Sequence, residues 1–267
     1  MPRLCSSLLL SLLLASPGSA VTMPWTPIGN PGNAADTTGF GAVGYSYYIG
    51  TYEVTNAQYA EFLNAKAASD PLALYNTRMG DPSVGPSGNY GGITRGGNAG
   101  SYTYSAIAGR ENLPVNCVSF NDALRFANWM NNGQGSSDTE TGAYTLLGGT
   151  PVPSNYDTVT RNGGASILLT SENEWYKAAY YDGSSGSYFA FPAGSNSQTT
   201  CSTPTVTPNT ANCGNAVGDL TPNGSKSLRN LRPGWERLGV ERDAQGHRRQ
   251  PRDPRWRLPR LGRPGRV

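Results

Sequence analysis

The sequence predicts a loop-rich fold built around three short helices, and three observations predict it. Thirty-four Gly, twenty Pro and a 37% hydrophobic content in 267 residues give too much turn chemistry and too few apolar faces for a helical bundle. Fifteen Tyr and five Trp supply the large apolar surfaces that a disordered chain of similar composition lacks, so a packed domain is expected. Three segments join a capping signal to a helical apolar stripe: TYEVTNAQYAEFL (Thr51–Leu63), PVNCVSFNDALRFANWM (Pro114–Met130) and LLTSENEWYKAAYY (Leu168–Tyr181). The length suits one large domain with appendages.

The chain opens as a secretory leader, residues 1–20. Arg3 gives a charged start, Leu8–Leu14 a short apolar run, and Gly18-Ser19-Ala20 a small-residue cleavage site. The run is too short to stay in a bilayer as a spanning helix. Cleavage after Ala20 and a secreted or periplasmic mature protein are expected, with no stable membrane span.

Each helical segment starts on a hydroxyl with a reciprocating side chain three residues on: Thr55 with Gln58, Ser119 with Asp122, Ser171 with Glu174. Such a pair caps two backbone N–H groups that a helix start leaves unpaired. Behind the caps, Tyr59, Phe62 and Leu63 recur on one face. Ala123, Phe126, Ala127 and Met130 do so in the second segment, and Trp175, Ala178 and Ala179 in the third. Trp129 and Trp175 are expected to pack against the core. Glu53, Asp122, Glu172 and Glu174 read as caps and first-turn charges rather than as catalytic acids.

Long polar stretches, Asn64–Asn112 and Asn131–Ser166, separate the helices. Within the first, GGITRGGNAGSYTYS (Gly91–Ser105) alternates Tyr with small residues and suits a hairpin. Its glycines do not form a phosphate loop, because neither a helix start nor a Lys-Ser/Thr pair follows them.

Removal of the leader takes Cys5 and leaves Cys117, Cys201 and Cys213 in an oxidising compartment. Cys201 and Cys213 bracket a Pro/Thr/Asn-rich loop and are expected to pair with each other. Cys117, on the apolar approach to the second helix, reads as a buried inert thiol, with a reactive nucleophile as the competing reading.

From Lys226 to Val267 the chemistry changes: this tail holds thirteen of the twenty-one basic residues and four of the eighteen acidic ones. One reading is a disordered basic arm for an acidic partner. The genetic code offers another. Read one base out of frame, Trp235-Glu236 forces a glycine codon, and synonymous codons for Leu231–Gln250 permit a run containing GGNVWEW; the stretch from Pro251 permits RGIRGGGF. A frameshift near Lys226–Arg229 therefore explains the Arg excess as glycine codons read out of register, and nucleic-acid binding is not expected.

The three helical segments, in this order, resemble the formylglycine-generating enzyme (sulfatase-modifying factor) family over about residues 47–181. The family runs roughly EVTN..Y..F, then PV..VSW.DA..F..W, then RLPTEAEWE.AA. Leu168, Thr170 and Asn173 stand where it usually has Arg, Pro and Ala. The out-of-frame GGNVWEW and RGIRGGGF resemble what the family carries next.

The resemblance implies an α+β, loop-rich C-type-lectin-like fold, with short helices packed on small antiparallel sheets, over residues 21–225. Residues 226–267 are then an out-of-frame, disordered tail. It implies oxidation of a sulfatase cysteine to formylglycine by oxygen, with a C-terminal Cys pair binding copper. No Cys lies from Lys226 onward, so the chain lacks the thiolate pair that soft Cu(I) needs. An iron branch of the family needs a His cluster with a carboxylate, and His247 in the tail is the only His. The segment Asn212–Ser225 resembles the family's calcium loop, with Asn212 and Asp219 as oxygen donors; a plain turn is the competing reading.

Two function classes follow. One is an exported sulfatase-modifying-factor-like domain, without oxidase activity as written, whose partner is a secreted sulfatase or another extracellular protein. The other is a C-type-lectin-like binding module that presents Tyr, Asn and Ser from the two long loops to a ligand.

Overall fold

The computed structural model describes residues 20–81, 83, 90–205 and 207–223. The expected leader up to Ser19, and the Lys226–Val267 tail with the frame reading placed on it, lie outside the described residues.

In chain order the elements are β1 (Trp25–Ile28), β2 (Tyr47–Gly50), α1 (Asn56–Lys66), a 3-10 turn (Thr77–Gly80), β3 (Ile93–Gly96), β4 (Thr103–Ala106), α2 (Phe120–Asn131) and α3 (Glu172–Tyr180). The short pairs β5 (Tyr181–Asp182) with β6 (Ser187–Tyr188) and β7 (Thr200–Cys201) with β8 (Thr210–Ala211) follow. Among the described residues the strands form four two-stranded sheets, antiparallel except β7–β8. The hairpin expected within Gly91–Ser105 is β3–β4, with Ile93 opposite Ala106 and Gly96 opposite Thr103.

All three helices start where the capping signals put them. Thr55, Ser119 and Ser171 are extended N-caps, and each forms the complete box with Gln58, Asp122 or Glu174. Each box satisfies two donors that helix geometry leaves unpaired, so these short helices begin at fixed residues.

Helix α2 is the centre of the domain. Phe126, Trp129 and Met130 join Tyr59, Phe62 and Leu63 of α1 in one apolar cluster. Phe120, Leu124 and Ala127 face a second cluster with Ala143, Tyr144 and Val159 from the long loop that follows. The sequence stripe identified one face, whereas the structure buries every residue from Phe120 to Met130. A helix held between two clusters has no solvent side, so its polar residues Asn121, Arg125 and Asn128 are interior as well.

Those interior polar groups order the loops. Asn128 donates Nδ2 to Thr139 O (2.7 Å) and accepts from Tyr144 N (2.7 Å), as a peptide unit of a neighbouring strand would. Asn64 treats β4 the same way, pairing with both the N–H and the C=O of Tyr104 at 2.8 Å. Loop backbone must find partners once buried, and short amides meet both of its needs. Gly92 is required by this stitching. A Cβ there would lie 2.2–2.3 Å from the Asn56 side chain, which donates to Arg110 O.

In α3 the expected stripe is only partly the buried face. Ala178 and Ala179 are buried, but so are Glu172, Glu174 and Lys177, while Trp175 is half-buried, edge-on to Tyr176 and Tyr180. The Lys177 ammonium donates to Asn30 O at 2.8 Å, which ties α3 to the loop after β1.

Candidate functional site

A groove of about 660 Å³ opens between the β1–β2 sheet, the approach to α3 and the first turn of α3. Its aromatic wall is Trp25, Tyr45, Tyr47 and Tyr48; its other wall is Ile167, Leu168 and Leu169. The floor is the ion pair of Arg161 with Glu174.

Glu174 is placed by its cap. Being third in α3 turns its carboxylate back to Ser171 N, which donates to Oε2 at 2.6 Å. Arg161 donates to both carboxylate oxygens (2.8 and 2.5 Å) and the Tyr45 hydroxyl to Oε1 (2.5 Å). The Tyr47 hydroxyl donates to Glu174 O, and Arg161 also donates to Leu169 O. Burial opposes ionisation of Glu174, but the bonds and charge of Arg161, aided by Tyr45, outweigh it and hold the carboxyl below its usual range. Burial and the adjacent Glu174 push the Tyr45 phenol up. With its charges mutually satisfied, the floor presents no free acid or base to a ligand.

The tyrosines of the long loops do not form this groove. Tyr75, Tyr104 and Tyr144 are buried in the core. Tyr102 stacks on the Arg95 guanidinium, 4.4 Å from its ring centre. The exposed aromatics come instead from β1 (Trp25), β2 (Tyr48) and the approach to β2 (Tyr45), which no helix-type periodicity would have marked.

The cysteines fall into two kinds. Cys201 and Cys213 form a disulfide. Cys117 is free and half-buried, with φ +60° just before the α2 cap, and burial raises its thiol pKa. A thiol pushed up by burial carries little thiolate at neutral pH and is a poor nucleophile.

Asn212 and Asp219 are brought together, but through protein bonds. Asn212 donates Nδ2 to Asp219 O at 2.8 Å. Both Asp219 carboxylate oxygens accept from the Arg110 guanidinium (2.8 and 2.9 Å), and Oδ1 also accepts from Leu220 N. A calcium ion on these oxygens would compete with a guanidinium already in bidentate contact. Among the described residues, no three His, Cys, Asp or Glu side chains cluster closely enough to hold a metal ion, and no helix is long and apolar enough to cross a membrane.

Asp122, the α2 cap partner, sits near the buried Arg125 (3.7 Å). Burial pushes its pKa up to about 6, partly offset by bonds from Ser119 and by the charge of Arg125. The folded protein thus takes up a proton near pH 6 that the unfolded chain takes up only near its ordinary value of 3.8. Stability should therefore rise by about 1 kcal/mol as pH falls from about 7 to 5. Glu174 acts oppositely, since its lowered pKa makes stability fall once the pH drops below its usual 4.5. The melting temperature should peak near pH 5, and Asp122→Asn should remove the rise on the alkaline side of that peak. A wild-type melting temperature that falls steadily below pH 7 would contradict the burial of Asp122.

Few short helices, small antiparallel sheets and long loops stitched by buried amides define a loop-rich α+β domain. Residues 36–228 match the model of the sulfatase-modifying factor enzyme 1-like domain, and the chain belongs to that family. Comparison with curated proteins and with solved structures gave no match.

Proposed function

We propose that the protein is an exported sulfatase-modifying-factor-like domain that does not generate formylglycine as written, its remaining role being to hold an extracellular partner such as a secreted sulfatase. The observation that carries this is the state of the thiols. A copper centre of the family's kind needs two thiolates side by side, and the donor set here does not fit. Cys201 and Cys213 are spent in a disulfide, and Cys117 stands alone with a raised pKa. Cys5 belongs to the leader.

Export is supported by the charged start, short apolar run and small-residue site, and a disulfide suits that destination. The frameshift reading is supported by where the family match stops: residue 228 lies within the Lys226–Arg229 stretch at which the composition changes.

The test is an assay of the secreted protein with a cysteine-containing sulfatase peptide, copper and oxygen, read by mass spectrometry for the aldehyde. No aldehyde above the protein-free control is expected, from a mature chain whose N-terminal sequence starts at Val21. Aldehyde formation would overturn the functional assignment; a mature start at Met1 would overturn export.

A further inference from the structure

We propose that the side chain of Gln134 is a binding site for the chain's own mature N-terminus: the α-ammonium that leader removal frees on Val21 is held by the Gln134 amide oxygen, which seats Val21 in the main core. The inference rests on the cleavage after Ala20 proposed above and goes beyond it by giving the new chain end a place and a partner.

Burial changes at that bond. Ala20 is exposed, whereas Val21 is 8% exposed and belongs to the apolar cluster of Phe62, Trp129 and Met130. The strap that follows is fixed residue by residue. Gln134 Oε1 accepts from Val21 N (2.6 Å), and Gln134 Nε2 donates to Val21 O (2.8 Å). Gln58, the cap partner of α1, donates Nε2 to Thr22 O (2.9 Å). Met23 packs on the same cluster, and Pro24 O accepts from Thr51 N (2.8 Å). Chain ends are loose unless something ties them down, and here the tying begins at the first residue after the expected cut.

The receptor turn is held by other parts of the fold. Gly133, Gln134 and Gly135 have φ of +88°, +68° and +59°, a run that glycine adopts freely and glutamine does not. Gln134 N donates to Trp129 O (2.9 Å), and Trp129 Nε1 donates to Gly135 O (2.9 Å). From α1, Lys66 Nζ donates to Ser136 O (3.0 Å) and Ser137 O (2.7 Å). A glutamine kept where glycine would be unstrained thus presents a fixed amide to one residue, 113 positions away in sequence. Asn64 and Asn128 differ in this respect, being helix residues that pair with the backbone of interior loops and strands.

Charge sets what the site prefers. An amide oxygen takes a shorter and stronger bond from an ammonium than from a peptide N–H. Freeing Val21 N therefore strengthens its bond to Gln134 Oε1, and the exposed position of Ala20 leaves water to meet the remaining protons.

The test is Gln134→Glu in two chains that both end at Val267, one released from a fusion so that it begins at Val21, the other beginning at Gly18. In the Val21 chain the new carboxylate receives an ammonium, and the melting temperature should rise. In the Gly18 chain residue 21 offers only a peptide N–H, and the second carboxylate oxygen meets Val21 O, so the melting temperature should fall. Shifts of the same sign in both chains, or no shift in the Val21 chain, would overturn the site. Acylation of the α-amine, mapped by mass spectrometry, gives a second reading. In the folded parent that begins at Val21 the amine should react about tenfold more slowly than in the same chain in urea, and Gln134→Ala should abolish most of the difference. Equal folded and unfolded rates in the parent would overturn the site even where a variant does not accumulate. N-terminal sequencing of the naturally secreted protein separates this from the leader reading. A first residue other than Val21 would overturn that reading and remove the site's natural occupant, whereas a Val21 start without protection would overturn the site and leave the leader reading standing.

Discussion

Arg125→Leu should destabilise the domain by about 3–5 kcal/mol, a large share of what a domain of this kind has to lose. Arg125 is fully buried in the middle of α2. Its guanidinium donates to both oxygens of Glu140 (2.6 and 3.2 Å), to Pro151 O (3.0 Å) and to Thr150 O (2.7 Å). The substitution leaves the half-buried carboxylate of Glu140 without its partner and strips donors from two loop carbonyls. Leucine fills much of the aliphatic volume, so the loss is electrostatic more than steric. Urea unfolding measures it, and the double variant Arg125→Leu/Glu140→Leu should recover part of the loss by removing the stranded charge. A single variant with the parent's unfolding midpoint would show that the guanidinium does not hold this loop.

Trp129→Ala should cost about the same, 3–5 kcal/mol, by a different route. The ring is 2% exposed and packs against Phe62 and Phe126 with ring centres 5.3 and 5.8 Å away. Its Nε1 donates to Gly135 O at 2.9 Å in the turn after α2. Truncation opens a cavity between α1 and α2 and orphans a carbonyl. Trp129→Phe keeps most of the packing and loses the bond, so it should cost about 1–2 kcal/mol. Trp175→Ala should cost less than Trp129→Ala, because the Trp175 ring is half-buried at the rim of α3. Equal losses for the two alanine variants would mean that α3 buries its tryptophan as the bare apolar stripe suggests.

The two largest effects come from residues that the sequence treated unequally. Trp129 stands next to a readable stripe, and its burial was expected. Arg125 carried no signal, since a lone arginine inside an amphipathic helix ordinarily faces water. Its role depends on Glu140, Thr150 and Pro151, which a long polar loop folds back over α2. Such a pairing has no local trace, because the partners are 15 to 26 residues away.

The groove shows the same limit. Glu174 was legible as a cap, and the structure keeps it as one; its second role, as the acceptor for Arg161, Tyr45 and Tyr47, joins residues 13 to 129 positions apart. The loop tyrosines looked like a presented surface. Tyr75 and Tyr104 turn inward instead, because their hydroxyls reach Ile93 O and Ala67 O while their rings pack.

The sequence by itself determined the three helix starts, the β3–β4 hairpin and the family of this domain. These are encoded in side chains a few residues apart, where caps and apolar periodicity act through short-range geometry. The tertiary structure alone decided that α2 has no solvent face, that buried Asn and Arg side chains order the long loops, and that the aromatics of β1 and β2 line an open groove. The reason is that a buried polar group has its free energy set by whichever distant backbone reaches it, and an apolar surface by whether anything covers it. Neither is a property of neighbouring residues in the chain.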